Sequence, residues 1–206
     1  MRVNRPPPGE ELNLGKAVEP RPAASLILLR DGSDGAEVLL VQRNPEQKFM
    51  GGAWVFPGGG TGPDDADPAA TALRELEEEA GIALPAGAEL VPFSRWIAPE
   101  QVSVRFDTWF FVAAAPPDAE PTVDGRECVD SRWIRPADAL AAHARNELLL
   151  VFPTIKNLER LGETGTVGET LAAARARTVV AIQPRLVIRD GAAEVLLPGE
   201  PGYDDP

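Results

Sequence analysis

The chain has 206 residues, 44% hydrophobic and 25% charged, a balance that excludes a disordered chain and suits one domain with an extension. Its 32 acidic and 20 basic residues leave a net charge of −12, which argues against a nucleic acid polymer or a membrane surface as partner, since both need a basic face. With one cysteine, Cys128, no internal disulfide forms, no signal peptide is apparent and no apolar run approaches a membrane span, so a cytoplasmic protein is expected.

Residues 1–20, rich in Pro, Glu and Gly, read as a flexible tail. ASLILLR (24–30) and EVLLVQ (37–42) read as strands joined by the turn DGSDG. WVF (54–56) is a short strand stopped by Pro57 and glycines. A helix is predicted over 68–80, with Asp67 as N-cap, Pro68 at the first helical position and Gly81 ending it. Strands follow near 89–97, 104–113 and 128–134, then a helix over 136–145. The order β-β-β-α-β-β-β-α lacks a regular βαβ repeat and predicts an α/β fold with a mixed sheet between helices, spanning residues 21–145. Residues 146–206 read as a C-terminal extension packed on the same domain. It contains two helical segments, FPTIKNLERL and TVGETLAAARAR, the second with capping-box spacing at Thr166 and Glu169, and a hairpin turning at Asp190-Gly191.

The helix PAATALRELEEEAGI places Ala69, Ala72, Leu73, Leu76 and Ala80 on an expected core face, with Glu75, Glu78 and Glu79 opposite it at i, i+3 and i+4. A solvated acidic face is one reading of these carboxylates. The other is a hard-cation site, because Mg²⁺ or Mn²⁺ takes converging oxygen ligands and commonly bridges one or two carboxylates to substrate phosphates. A cation would reconcile an acidic helix with the glycine-rich stretch FMGGAWVFPGGG before it. That stretch is no P-loop, since no Gly-Lys-Ser/Thr follows.

Gly60 followed by Arg74-Glu75-Leu76-Glu77-Glu78-Glu79-Ala80-Gly81-Ile82 resembles the box of the Nudix hydrolase family. One position departs: Ala66 stands where the family has its first Glu, flanked by Asp65 and Asp67. The VFPGG lead-in and DGRECVDSRWIRPADAL extend the resemblance over about residues 22–145. It implies an α/β/α sandwich and metal-dependent hydrolysis of a nucleoside diphosphate linked to another group. It further implies that Glu75, Glu78, Glu79 and the Gly59 carbonyl ligate Mg²⁺ or Mn²⁺, with Arg74 orienting the carboxylates. Asp65 is expected to stand in for the missing Glu as a metal ligand, and Asp67 to act only as the helix cap. DDADPAATALRE, VLLVQRNPEQKFMGGAWVFPGG and RFDTWFF resemble the coenzyme A and acyl-coenzyme A diphosphatase branch, making those the preferred substrates. ADP-ribose, NADH or another nucleotide derivative remains an alternative, as does a non-catalytic nucleotide sensor.

For the base that activates water, Glu127 is favoured over Glu100. Arg43, Lys48, Arg95 and Arg105 are candidates for phosphate contact, with Arg43 and Arg105 preferred, and the Gly58 and Gly60 backbones are expected beside the substrate. His143, Cys128 and the four tryptophans read as structural. The expected partner is a small-molecule nucleotide diphosphate, and a homodimer is left open.

Overall fold

Residues 23–29, AASLILL, are buried without interruption, as a strand covered on both faces must be. In the computed structural model, which describes residues 2–3, 13, 15–189 and 192–205, they form the centre of the molecule. The strands β1 (Arg2–Val3), β2 (Arg21–Gly32), β3 (Gly35–Arg43), β4 (Trp54–Val55) and β5 (Gly58–Gly60) precede helix α1 (Pro68–Ala80). Then come β6 (Val91–Ile97), β7 (Phe106–Ala114), β8 (Cys128–Ile134), α2 (Pro136–Ala144), α3 (Phe152–Leu161), α4 (Val167–Arg175), β9 (Ala181–Ile182), β10 (Arg185–Arg189) and β11 (Ala192–Leu196). The turn predicted at Asp190-Gly191 and much of the predicted tail lie outside the described residues.

The main sheet has the order β4-β3-β2-β7-β6-β9, with β5 added to β2 and β8 to β3. It is mixed, because β2 runs parallel to β7 and antiparallel to β3 and β5. Alternation along β2 splits the core: Leu26 and Leu28 pack with Ala72, Leu76 and Ala80 of α1, while Ile27 and Leu29 pack with Ala139, Ile155, Leu158 and Val167 of α2, α3 and α4. The layers are those of the expected α/β/α sandwich. A second, three-stranded sheet has the order β1-β11-β10.

Helix α1 has the predicted bounds. The Asp67 side chain accepts from the Ala70 N–H at 2.8 Å, and Gly81 closes the helix at φ 65° with its N–H on the Glu77 carbonyl. Asp67→Ala should therefore cost about 1 kcal/mol of stability in denaturant melts and leave turnover nearly unchanged.

The burial around α1 corrects the expected core face. Leu73 is 36% exposed, whereas Glu75 and Glu79 are only 9% and 3% exposed. The cause is β5, which the glycine run forms against β2 where the glycines were expected only to stop a strand. Three residues without side chains leave room under α1, and the carboxylates of Glu75 and Glu79 fill it.

Candidate active site

Arg74 organises the acidic end of α1. Its Nε and Nη2 donate to the two carboxylate oxygens of Asp65 at 3.1 and 2.9 Å. Nη1 donates to Glu75 Oε1 and Glu78 Oε2, both at 2.8 Å, and Nη2 also reaches the Gly60 carbonyl at 3.0 Å. Five acceptors thus match the five donors of a guanidinium. Asp65 accepts in addition from the Gly62 N–H at 2.7 Å and from Thr71 Oγ1 at 3.0 Å. The Arg74 hydrogen bonds, followed by the Gly62 N–H, hold its carboxyl well below the usual range.

Asp65, expected as a cation ligand, is engaged through both oxygens by Arg74, Gly62 and Thr71, and its side chain is 7% exposed; we propose that it acts by holding Arg74. We expect Asp65→Ala to melt below Asp67→Ala and to lose activity through a loosened Arg74. Equal melting temperatures for the two variants would contradict this assignment.

Glu79 accepts from the Gly58 N–H at 2.9 Å, lies 3.9 Å from Arg43 Nη1 and faces the buried Cys128. Burial raises its pKa to about 7, with the Glu75 charge adding to the effect and the Gly58 N–H and Arg43 opposing it. Burial likewise raises the pKa of Glu75, against the opposing pull of Arg74. Gly59 lies directly on Glu75, where an added Cβ would sit 2.6 Å from the carboxyl carbon. Only glycine permits this approach of backbone to carboxylate.

Among the described residues, no three acidic, His or Cys side chains stand close enough to form a complete cation cage. Two buried carboxylates, both with raised pKa, beside the Gly59 backbone nevertheless suit Mg²⁺-type binding, which uses one or two carboxylates and completes its shell with water and phosphate. The donor set therefore fits a divalent cation. Glu78, on the exposed side of α1, is tied to the pair through Arg74.

A cleft of about 400 Å³ opens from these carboxylates. Arg43, Gly58, Gly59, Gly60, Glu75, Glu79 and Glu127 line its polar part. Glu127 is held by its neighbours: Asp124 accepts from the backbone N–H groups of Arg126, Glu127 and Cys128, and the Asn44 N–H donates to the Glu127 carbonyl at 2.8 Å. Glu100 is not among the lining residues.

Other expected contacts are placed elsewhere. Arg105 is 6% exposed and donates to the Ala98 and Val18 carbonyls, so it braces backbone and does not line the cleft. The Gly58 N–H donates to Glu79 and the Gly60 carbonyl accepts from Arg74, while both residues line the cleft. Arg95 forms a two-point pair with Asp107 at 2.8 and 2.6 Å, Lys48 is exposed, and His143 Nδ1 lies 3.0 Å from the Leu148 carbonyl. Sequence reasoning passed over Thr71 and Asp124. The spacing of Asp124 before three N–H groups of a Gly-containing turn was the available signal.

The sequence model described as NUDIX domain matches residues 19–153, well over half of the chain. The chain belongs to the NUDIX family. "Putative 8-oxo-dGTP diphosphatase 3" of Mycobacterium tuberculosis is 31% identical over 115 residues, 54% of this chain and 51% of that protein. "Nudix hydrolase 15, mitochondrial" of Arabidopsis thaliana is 42% identical over 65 residues, 31% of this chain and 23% of that protein. The chain thus spans about half the length of the first relative and under a quarter of the second. Among solved structures, a NUDIX hydrolase from Alicyclobacillus acidocaldarius superposes with a TM-score of 0.70 at 27% identity, covering 75% of this chain and 96% of the other. NUDIX hydrolases generally use divalent metal ions and bind small nucleotide substrates, and the mixed sheet between helices is the fold they share.

Proposed function

We infer that this NUDIX protein hydrolyses the diphosphate bond of a nucleoside diphosphate derivative, using Mg²⁺ or Mn²⁺, and that coenzyme A or an acyl-coenzyme A is its preferred substrate. The observation carrying this reading is the lining of the cleft. Glu75 and Glu79 share it with many apolar side chains, among them Phe152 and Leu186. A diphosphate bearing a nucleoside on one side and an extended chain on the other suits that combination better than a compact nucleotide.

Glu75 and Glu79, with Glu78 and the Gly59 carbonyl, would hold the cation. When bound, it neutralises the diphosphate and makes water more acidic. Arg43, on the cleft wall, pairs with a diphosphate oxygen. Glu127 takes the proton as water attacks phosphorus, and the bond from that phosphorus to the bridging oxygen breaks. Arg74, saturated by Asp65, Gly60, Glu75 and Glu78, positions the carboxylates without touching substrate. Retention of all three helix glutamates favours an enzyme over a non-catalytic sensor. The net charge of −12 disfavours polymeric nucleic acid, and the single buried Cys128 suits a reducing, cytoplasmic setting. Among the described residues no helix is long and apolar enough to cross a membrane.

The second reading is 8-oxo-dGTP, which the name of the mycobacterial relative suggests. Mass spectrometry of products from coenzyme A, ADP-ribose, NADH and 8-oxo-dGTP, with Mg²⁺ and with Mn²⁺, tests the choice. The expected products of coenzyme A are phosphopantetheine and adenosine 3′,5′-bisphosphate. A higher kcat/KM for ADP-ribose or 8-oxo-dGTP than for every coenzyme A species would overturn the preference.

A further inference from the structure

The second sheet contributes to the wall of the cleft. Leu186 of β10 and Val195 of β11 are direct cross-strand partners, and both line the cleft. Val102 and Val104 from the β6–β7 connection line the same cleft, as does Pro184 just before β10. The hairpin is tied to that connection, since the Leu186 N–H donates to Gln101 Oε1 at 3.3 Å.

We propose that β10 and β11 wall a compartment for a straight hydrocarbon tail carried by the substrate on the side of the diphosphate away from the nucleoside. Three features select this occupant. First, the compartment is continuous with the carboxylate end of the same cleft, so a ligand anchored by its diphosphate projects into it. Second, the side chains of Val102, Val104, Pro184, Leu186 and Val195 bear no hydrogen-bond donor or acceptor. A polar group placed against these five side chains gains no hydrogen bond from them, a cost a hydrocarbon does not incur. Third, those five residues come from two separate stretches of chain, which leaves a wall whose character one substitution can change. The inference rests on the reading of the site as a diphosphatase for coenzyme A species, and it makes the hairpin the determinant of chain length.

The test is a series of free, acetyl-, butyryl-, hexanoyl- and octanoyl-coenzyme A, measured as kcat/KM with the whole chain. In parallel, acetyl- and octanoyl-pantetheine, uncharged fragments that need no cation, are titrated calorimetrically. Each buried methylene is expected to raise kcat/KM about fourfold until the compartment is full. Octanoyl-pantetheine should bind and acetyl-pantetheine should not. Leu186→Asp should bring the octanoyl-to-acetyl ratio close to one and abolish fragment binding, and Leu186→Ala should lower the ratio partway, which guards against a folding defect in the first variant. A flat series in the wild type, or a ratio that both folded variants leave intact, would overturn the proposal. If no coenzyme A species is cleaved but octanoyl-pantetheine still binds in a Leu186-dependent manner, the compartment stands and the substrate assignment falls.

Discussion

Glu79→Gln is expected to lose turnover by more than about 100-fold while melting higher than the wild type in metal-free buffer at pH 8. Partners one shell removed from a metal are worth about 10–100-fold, so a direct ligand should exceed that. The stability gain follows from the burial that raises the Glu79 pKa to about 7. A carboxyl whose folded pKa lies above its unfolded value binds more protons when folded, so stability falls as pH rises from about 4.5 to about 7 and levels off above. The penalty at pH 8 is about 3 kcal/mol for this shift, and Gln avoids it. Glu75, raised in the same direction, adds to the slope. Asp65 acts oppositely: its lowered pKa supplies stability above the ordinary carboxylate range that is lost only in strong acid. Thermal melts of both proteins between pH 5 and 8 would check this. A wild-type curve with no fall through this window would contradict the burial of Glu79 as a destabilising charge.

Glu127→Gln should lower kcat by about 10²–10⁴-fold, the usual worth of a general base, with little change in KM. Glu127 lines the cleft beside Glu75, whose pKa its charge helps to raise. The Asp124 side chain fixes the backbone on either side of it, so the carboxylate is presented from an ordered turn. Part of the loss should be recovered at higher pH, where hydroxide replaces the base. Glu100→Gln, whose carboxylate does not line the cleft, should retain wild-type kcat. The reverse pattern would move the role to Glu100.

Helix α1 was legible to the residue because its determinants are local: an Asp cap, a Pro at the first position and a Gly at the end. The strands β2, β3, β4, β6, β7 and β8 were legible in the same way, from apolar runs separated by turns, whereas β5 and β9 were not. The face that α1 buries was not. A helical projection places Leu73 inside and Glu75 and Glu79 outside, and the structure reverses this because glycines form the neighbouring strand and leave space a carboxylate can fill. That depends on β5 lying against β2, a contact no local pattern encodes. The arginines show the same limit. Sequence offers Arg43, Arg95 and Arg105 alike, and only tertiary partners separate Arg43 on the cleft wall from Arg95 on Asp107 and Arg105 on backbone carbonyls. Asp65 was recognised as important, yet its commitment to Arg74, nine residues on, came from the fold of the intervening turn.

Hydrolysis is proposed to depend on a cation site formed by the buried pair Glu75 and Glu79. Calorimetric titration of Mn²⁺ into metal-free wild type, Glu75→Gln and Glu79→Gln at pH 8 tests it most directly. Saturable binding by the wild type is expected, with at least about tenfold weaker binding by each variant. Equal Mn²⁺ affinity in all three proteins would contradict it.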